Sequence, residues 1–141
     1  MPDEIASWKA EGIDVVVCLL EDSEIGELEL HPLPMSCRDA GMEFVSFPIP
    51  DRGLPESMSE TERLVCRLST AIADGRAVAV HCRAGIGRSS MIAACVLASN
   101  GYDVNSAFDI IARARGVEVP DTEGQRAWVS AFLVATAGSR D

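Results

Sequence analysis

The stretch "VAVHCRAGIGRSSM", Val78 to Met91, ends an apolar run on a histidine and a cysteine. It then passes through Arg83, Gly85, Gly87, Arg88, Ser89 and Ser90 before turning apolar again. The run "AVAVHC" has strand length. Arg88 to Ser99 is apolar nearly all round, with Met91, Ile92, Cys95, Val96 and Leu97, and reads as a buried central helix. A buried strand, a glycine-rich loop and a buried helix therefore follow one another, and the loop "HCRAGIGR" lies at their junction.

Such a junction suits an anion. Gly85 and Gly87 permit backbone conformations that bulkier residues resist. Successive N–H groups then turn inward as a concave nest, and the helix beginning near Arg88 adds the positive end of its dipole. Arg88 completes the ring with two parallel hydrogen bonds to an oxyanion. Cys82 lies at the base of this cradle. The same groups favour its ionised form, so a free thiol pKa of about 8.5 falls to roughly 3.5–7.5. Cys82 is then a nucleophile at neutral pH, and Arg83, Ala84, Gly85, Ile86, Gly87 and Arg88 form the oxyanion-binding set. A lone strand-ending cysteine would be read as a small buried hydrophobe. The full eight-residue pattern is read as a catalytic loop.

The rest of the chain alternates strands with helices. "DEIASWKAEG" predicts a short helix ended by Gly12. Ile13 to Leu20 is a β-branched run without alternation, as in a strand covered on both faces. Ser23 to Ala40 is helical in patches, interrupted by Pro32 and Pro34 and stopped by Gly41. "MEFVSFPI" is a second strand before the turn-rich "PDRGLP". Ser57 to Asp74 is the clearest helix, with a Ser57–Glu60 capping box, a face of Met58, Thr61, Val65, Leu68 and Ile72, and Gly75 as its stop. Val104, Ala107, Phe108 and Ile111 give another helical face, ended by Gly116. Pro120 starts a loop. Thr122 to Ala137 is the last helix, with Trp128, Ala131, Phe132 and Ala135 on one side. The pattern predicts an α/β fold, a mainly parallel central sheet flanked by helices, in a single domain over 1–141.

The 141 residues carry a formal net charge of -10, with 48% hydrophobic and 5% aromatic residues. Nucleic acid and anionic membrane are repelled on average, so an anion site must be a local positive spot. The apolar runs are strand-length and too short to span a bilayer. The N-terminus lacks a basic and apolar leader pattern, which makes the cytoplasm the expected location. Cys18, Cys37, Cys66, Cys82 and Cys95 are odd in number and form no C-x-x-C pair, against a disulfide framework or zinc site. With His31 and His81 alone, a His-rich metal cluster is excluded.

"HCRAGIGRS" resembles the H-C-x5-R-[ST] signature of the protein tyrosine phosphatase superfamily. The fuller H-C-x-x-G-x-x-R-S form is similar to its cysteine-based, dual-specificity-like branch. Looser similarity extends from "GIDVVVCLL" through "FPIPDRGLP" to "VPDTEGQRAWV". The resemblance implies a phosphatase-like fold and a cysteine that attacks phosphorus, giving a phosphocysteine that water hydrolyses, with no metal or cofactor. It implies that Asp51 is the general acid on a mobile loop, although Pro50-Asp51-Arg52-Gly53 also reads as a plain turn. It implies that Ser89 donates to the cysteine sulfur, against a reading as a first-turn helix residue. Gln125 is similar to the glutamine that positions attacking water, and Thr122-x-x-Gln125 is equally a capping box. His81 is implied to orient the loop from behind. Asp39 and Asp74 sit at helix ends and are weak alternatives for the acid.

The short chain and the position of Cys82 point away from the larger tyrosine-specific and the low-molecular-weight branches. Related domains carry a further strand before the first helix, so the sheet is expected to be short at that edge. Among the variable loop positions, Arg83 adds one charge and Ile86 none, which weakens a phosphoinositide reading. The expected partner is a phosphorylated protein or small phosphomonoester, with phosphotyrosine and then phosphoserine or phosphothreonine as substrates. No nucleic acid or membrane partner is expected, and a monomer is the default. The alternatives are a phosphatase of phosphoinositide or RNA 5′-phosphate, a sulfurtransferase or arsenate reductase, and a phosphoprotein-binding module without catalysis. Cys18 is a candidate redox partner of Cys82, with a plain core cysteine as the simpler reading.

Overall fold

The computed structural model describes residues 2–50, 53–82, 87–115 and 123–136. Helix α1 (Pro2–Ala10) leads into strand β1 (Val15–Cys18), followed by the short helices α2 (Asp22–Glu27) and α3 (Leu33–Asp39). Strand β2 (Glu43–Ser46), helix α4 (Met58–Ala73) and strand β3 (Val78–His81) come next. Helices α5 (Gly87–Ser99), α6 (Val104–Arg115) and α7 (Glu123–Thr136) complete the fold. Pro34 does not interrupt its segment as the sequence suggests. It stands in the first turn of α3, where no N–H is needed.

Three strands pair in parallel in the order β2-β1-β3. β1 lies at the centre because Val15, Val16, Val17 and Cys18 are buried on both faces. One face, with Val16, Cys18 and Leu20, packs against Trp8 of α1 and Leu33 and Cys37 of α3. The other, with Val15, Val17 and Leu19, meets Leu64 and Leu68 of α4 and Ile92 of α5. The chain leaves β1 for β2 on one side and then crosses to β3 on the other. Open parallel sheets bind ligands at such a switch point, outside the carboxyl ends of the strands. Cys82 follows the carboxyl end of β3.

The backbone continues past the regular ladder at that end. The Leu19 N–H donates to the His81 carbonyl at 2.9 Å, and the Ile49 N–H to the Leu19 carbonyl at 3.0 Å. Residues 47–49 thus stay bound to β1 and deliver the chain to Pro50 in a set position.

Helix α4 begins where Ser57 Oγ accepts from the Glu60 N–H at 3.1 Å. It ends at Gly75, whose φ of +86° is the left-handed conformation that glycine takes without strain. Its buried residues are Thr61, Leu64, Val65, Leu68 and Ala71. Ile72, assigned to this face from the sequence, is 50% exposed. The face is rotated by one residue, because Leu64 and Ala71 fit between β1 and α5. A similar correction applies to α7. Its buried residues are Gln125, Val129, Phe132 and Thr136, whereas Ala131 and Ala135 are exposed and Trp128 is half-buried. Helix α5 is apolar nearly all round for a clear reason. Met91, Ala94 and Cys95 face the second core formed with Phe108 of α6 and Val129 and Phe132 of α7, while Ile92 faces the sheet.

Phe132→Ala should cost about 3–5 kcal/mol by urea denaturation, as expected for a buried ring removed from a core that does not collapse. Ile72→Ala should stay within about 0.5 kcal/mol, the range of exposed positions.

Candidate active site at the carboxyl end of the sheet

Cys82, 6% exposed, packs with Leu19, Ile49 and Ile92 just past β3. Gly87, Arg88, Ser89 and Ser90 form the buried first turn of α5, where Ser90 Oγ donates to the Gly87 carbonyl at 2.9 Å. The loop residues Arg83, Ala84, Gly85 and Ile86 lie outside the described residues, as do Asp51 and Thr122.

Arg88 is the largest fully buried side chain, 2% exposed. A buried guanidinium requires a partner and satisfied hydrogens. Glu24, 6% exposed on α2, supplies the partner. Nη1 of Arg88 donates to Glu24 Oε1 at 2.6 Å and Nη2 donates to Oε2 at 2.9 Å. Nη1 also donates to the Ile49 carbonyl at 3.0 Å. These three bonds fix the end edge of the guanidinium.

Sequence reasoning missed Glu24. The residue is at the third position of α2, and its Oε1 accepts from the Glu21 N–H at 3.1 Å. A glutamate three residues past a helix start is the ordinary capping-box residue. That local role hides the second one, because the arginine it meets is 64 residues away.

Ser89 Oγ is buried and has no hydrogen-bond partner in the structure. The bond to the Cys82 sulfur implied by the resemblance is thus not formed in this arrangement. A buried hydroxyl left unpaired costs about 1–3 kcal/mol, so the position is not explained by folding. His81 ends β3, and its ring meets the Trp8 ring of α1 edge-on at 5.7 Å, on the face away from α5. Gln125 is fully buried, and Nε2 donates to the Gly53 carbonyl at 3.3 Å.

Asp74 is far from this arrangement. It lines a cavity of about 360 Å³ with Val15, Glu43, Arg67 and Arg76, at the end of the sheet where the strands begin. Asp39 ends α3. His31 is exposed.

All five cysteines are free thiols. Burial pushes the Cys18 thiol up, and the neighbouring Arg88 charge only partly offsets this. Burial also raises Cys37, and it pushes Cys95 up to about 12. These three thiols are protonated at neutral pH and are poor nucleophiles.

A strand-ending cysteine and a fully buried, bidentately held arginine bracket a five-residue loop. Residues 1–102 match the family model described as polymorphic toxin system, DSP-PTPase phosphatase. The chain belongs to this phosphatase family. It is 30% identical over 138 residues to cyclin-dependent kinase inhibitor 3 of Rattus norvegicus and 32% identical to that of Sus scrofa. Each match covers 94% of this chain and 65% of the relative, so the chain spans about two-thirds of their length or slightly less. Among solved structures, the kinase-associated phosphatase with a serine in place of its catalytic-site cysteine aligns with a TM-score of 0.84. That alignment has 22% identity and covers 95% of this chain and 76% of the other. Tk-PTP in its active form aligns with a TM-score of 0.77 at 27% identity, over 94% and 85% of the two chains. The phosphatase fold expected from the loop signature is thus the fold observed.

Two outcomes are expected. Glu24→Gln leaves the Arg88 charge buried without its counter-charge, so urea denaturation should show a loss of about 3–5 kcal/mol, together with weaker binding of inorganic phosphate. Brief treatment with iodoacetamide at pH 7, read by mass spectrometry, should label the exposed Cys66 and the site thiol of Cys82 while sparing Cys18, Cys37 and Cys95. Orthovanadate should protect Cys82 and not Cys66.

Proposed function

We propose that this protein is a cysteine-dependent protein phosphatase that hydrolyses phosphotyrosine, with phosphoserine and phosphothreonine as further substrates. The reading rests foremost on Arg88. Glu24 and the Ile49 carbonyl hold the guanidinium in one orientation beside the start of α5 before any substrate arrives. Donors held in advance stabilise charge that develops on a phosphoryl group without having to reorganise.

In this mechanism the Cys82 thiolate attacks phosphorus in line with the ester oxygen. An S–P bond forms as the P–O bond breaks, and Asp51 gives its proton to the departing oxygen. In this reading the equatorial oxygens are bound by Arg88 and by the loop from Arg83 to Gly87. Water then attacks the phosphocysteine, Asp51 takes its proton, and the thiolate leaves as phosphate is released. The unpaired Ser89 hydroxyl is suited to stabilise that thiolate by turning toward the sulfur. The single domain over 1–141 needs no metal or cofactor for these steps.

Protein substrates are favoured over the alternatives. A net charge of -10 opposes RNA and anionic lipid headgroups, whereas a single phosphorylated side chain enters a local positive site without bringing further charge. The relatives whose names concern kinases support the same class. The sulfurtransferase, arsenate reductase and binding-module readings have no observation in their favour. No helix among the described residues is long and apolar enough to cross a membrane. A reducing cytoplasmic location and a monomer belong to the same proposal, the former supported by an odd number of cysteines without a C-x-x-C pair.

The test is a panel of phosphotyrosine, phosphoserine and phosphothreonine peptides, phosphoinositides and 5′-triphosphate RNA. Phosphotyrosine peptide should turn over fastest, and Cys82→Ser should abolish release of phosphate. Asp51→Asn should slow phosphotyrosine turnover by about 10²–10⁴-fold and remove the basic limb of the pH profile. Turnover of RNA or lipid above that of every peptide would overturn the substrate class.

A further inference from the structure

We infer that Gln125 is a positioning residue for the general acid: its buried side-chain amide holds the carbonyl of Gly53, two residues beyond Asp51. This goes beyond the phosphatase reading and rests on its assignment of Asp51.

Gln125 is unusual where it stands. It occupies the first position of the buried stripe of α7, with Val129, Phe132 and Thr136 following at helical spacing. An apolar residue there would pack as well without the cost of burying an amide. The amide makes a long-range bond, to the Gly53 carbonyl 72 residues away. A capping role for the start of α7 does not account for that bond.

The chain at Gly53 is tightly drawn. The Gly53 N–H donates to the Pro50 carbonyl at 2.7 Å. A Cβ on Gly53 would lie 2.8 Å from Pro50 Cβ and 2.9 Å from the Pro50 carbonyl oxygen. Only glycine fits there. The pinch is held at both ends. On the upstream side the Ile49 carbonyl accepts from Arg88 Nη1, and the Ile49 N–H donates to Leu19. On the downstream side Gln125 holds Gly53. Ile49 is thus tied to Arg88 on one side of the acid in the sequence, and Gly53 to the last helix on the other. Proton donation to a leaving oxygen depends on sub-ångström placement, so loosening one tie should slow that step in particular.

The experiment measures kcat/KM for aryl phosphates running from p-nitrophenyl phosphate to phosphotyrosine, in Gln125→Leu, Gly53→Ala and the Asp51→Asn reference. Protonation matters little for a good leaving group and greatly for a poor one. The expected result is that the ratio of p-nitrophenyl phosphate to phosphotyrosine rises about tenfold in both new variants, with a weakened basic limb in the pH profile. Inhibition by inorganic phosphate should be unchanged, since the Arg88 cradle is intact. A fall in kcat common to all substrates, with kcat/KM unchanged and a burst of p-nitrophenol, would place Gln125 in hydrolysis of the phosphocysteine and overturn the inference. An equal loss without a burst and with a lowered melting temperature would make Gln125 a packing residue, with the same consequence. If Asp51→Asn itself shows no dependence on the leaving group, Asp51 is not the acid and both proposals fall. If Asp51→Asn shows it and neither new variant does, only the role of Gln125 is lost.

Discussion

The bidentate pair between Arg88 and Glu24 is the constraint on which the site depends. Moving a guanidinium and a carboxylate out of water costs several kcal/mol each, and their mutual attraction repays this only when the remaining hydrogens are satisfied. Here the geometry is short and doubled, and the Ile49 carbonyl takes a further hydrogen. The pair contributes less to net stability than well-packed apolar residues could. Its gain is orientation. It joins α2, the start of α5 and the segment after β2 at one point, so Arg88 also sets the path of the chain at Ile49.

Pairing also changes the electrostatics. The carboxylate cancels most of the charge of the arginine at a distance, and the molecule as a whole is strongly acidic. Long-range attraction of anions is therefore weak. What remains is short-range: the held guanidinium together with the positive end of α5. The fold supplies the setting. With β1 between β2 and β3, the connections diverge at the carboxyl ends of the strands, and Cys82, Arg88, Glu24 and Ile49 meet there.

Much of this was legible in the residues. The run from Val78 to Met91 states strand, loop and helix in order, and a cysteine and an arginine separated by five residues in such a loop have few uses other than oxyanion chemistry. The alternation of strand and helix, the buried character of Val15 to Cys18, and the cap and stop of α4 were equally readable, because each rests on local propensity or a period of apolar residues. The finer choice of buried face was not. Ile72 and Ala135 share the apolar character of their helices, yet they face solvent, because each helix rotates to fit neighbours far away in the chain.

The sequence by itself determined the chemistry of the loop, the parallel α/β class and the family to which the chain belongs, since these are carried by residues adjacent along the backbone. Only the tertiary structure decided that Glu24 holds Arg88 and that Gln125 holds Gly53. Glutamate at a helix start and glutamine near another are ordinary local choices. Their second roles arise when burial removes water and the nearest remaining partner is a group 64 or 72 residues distant.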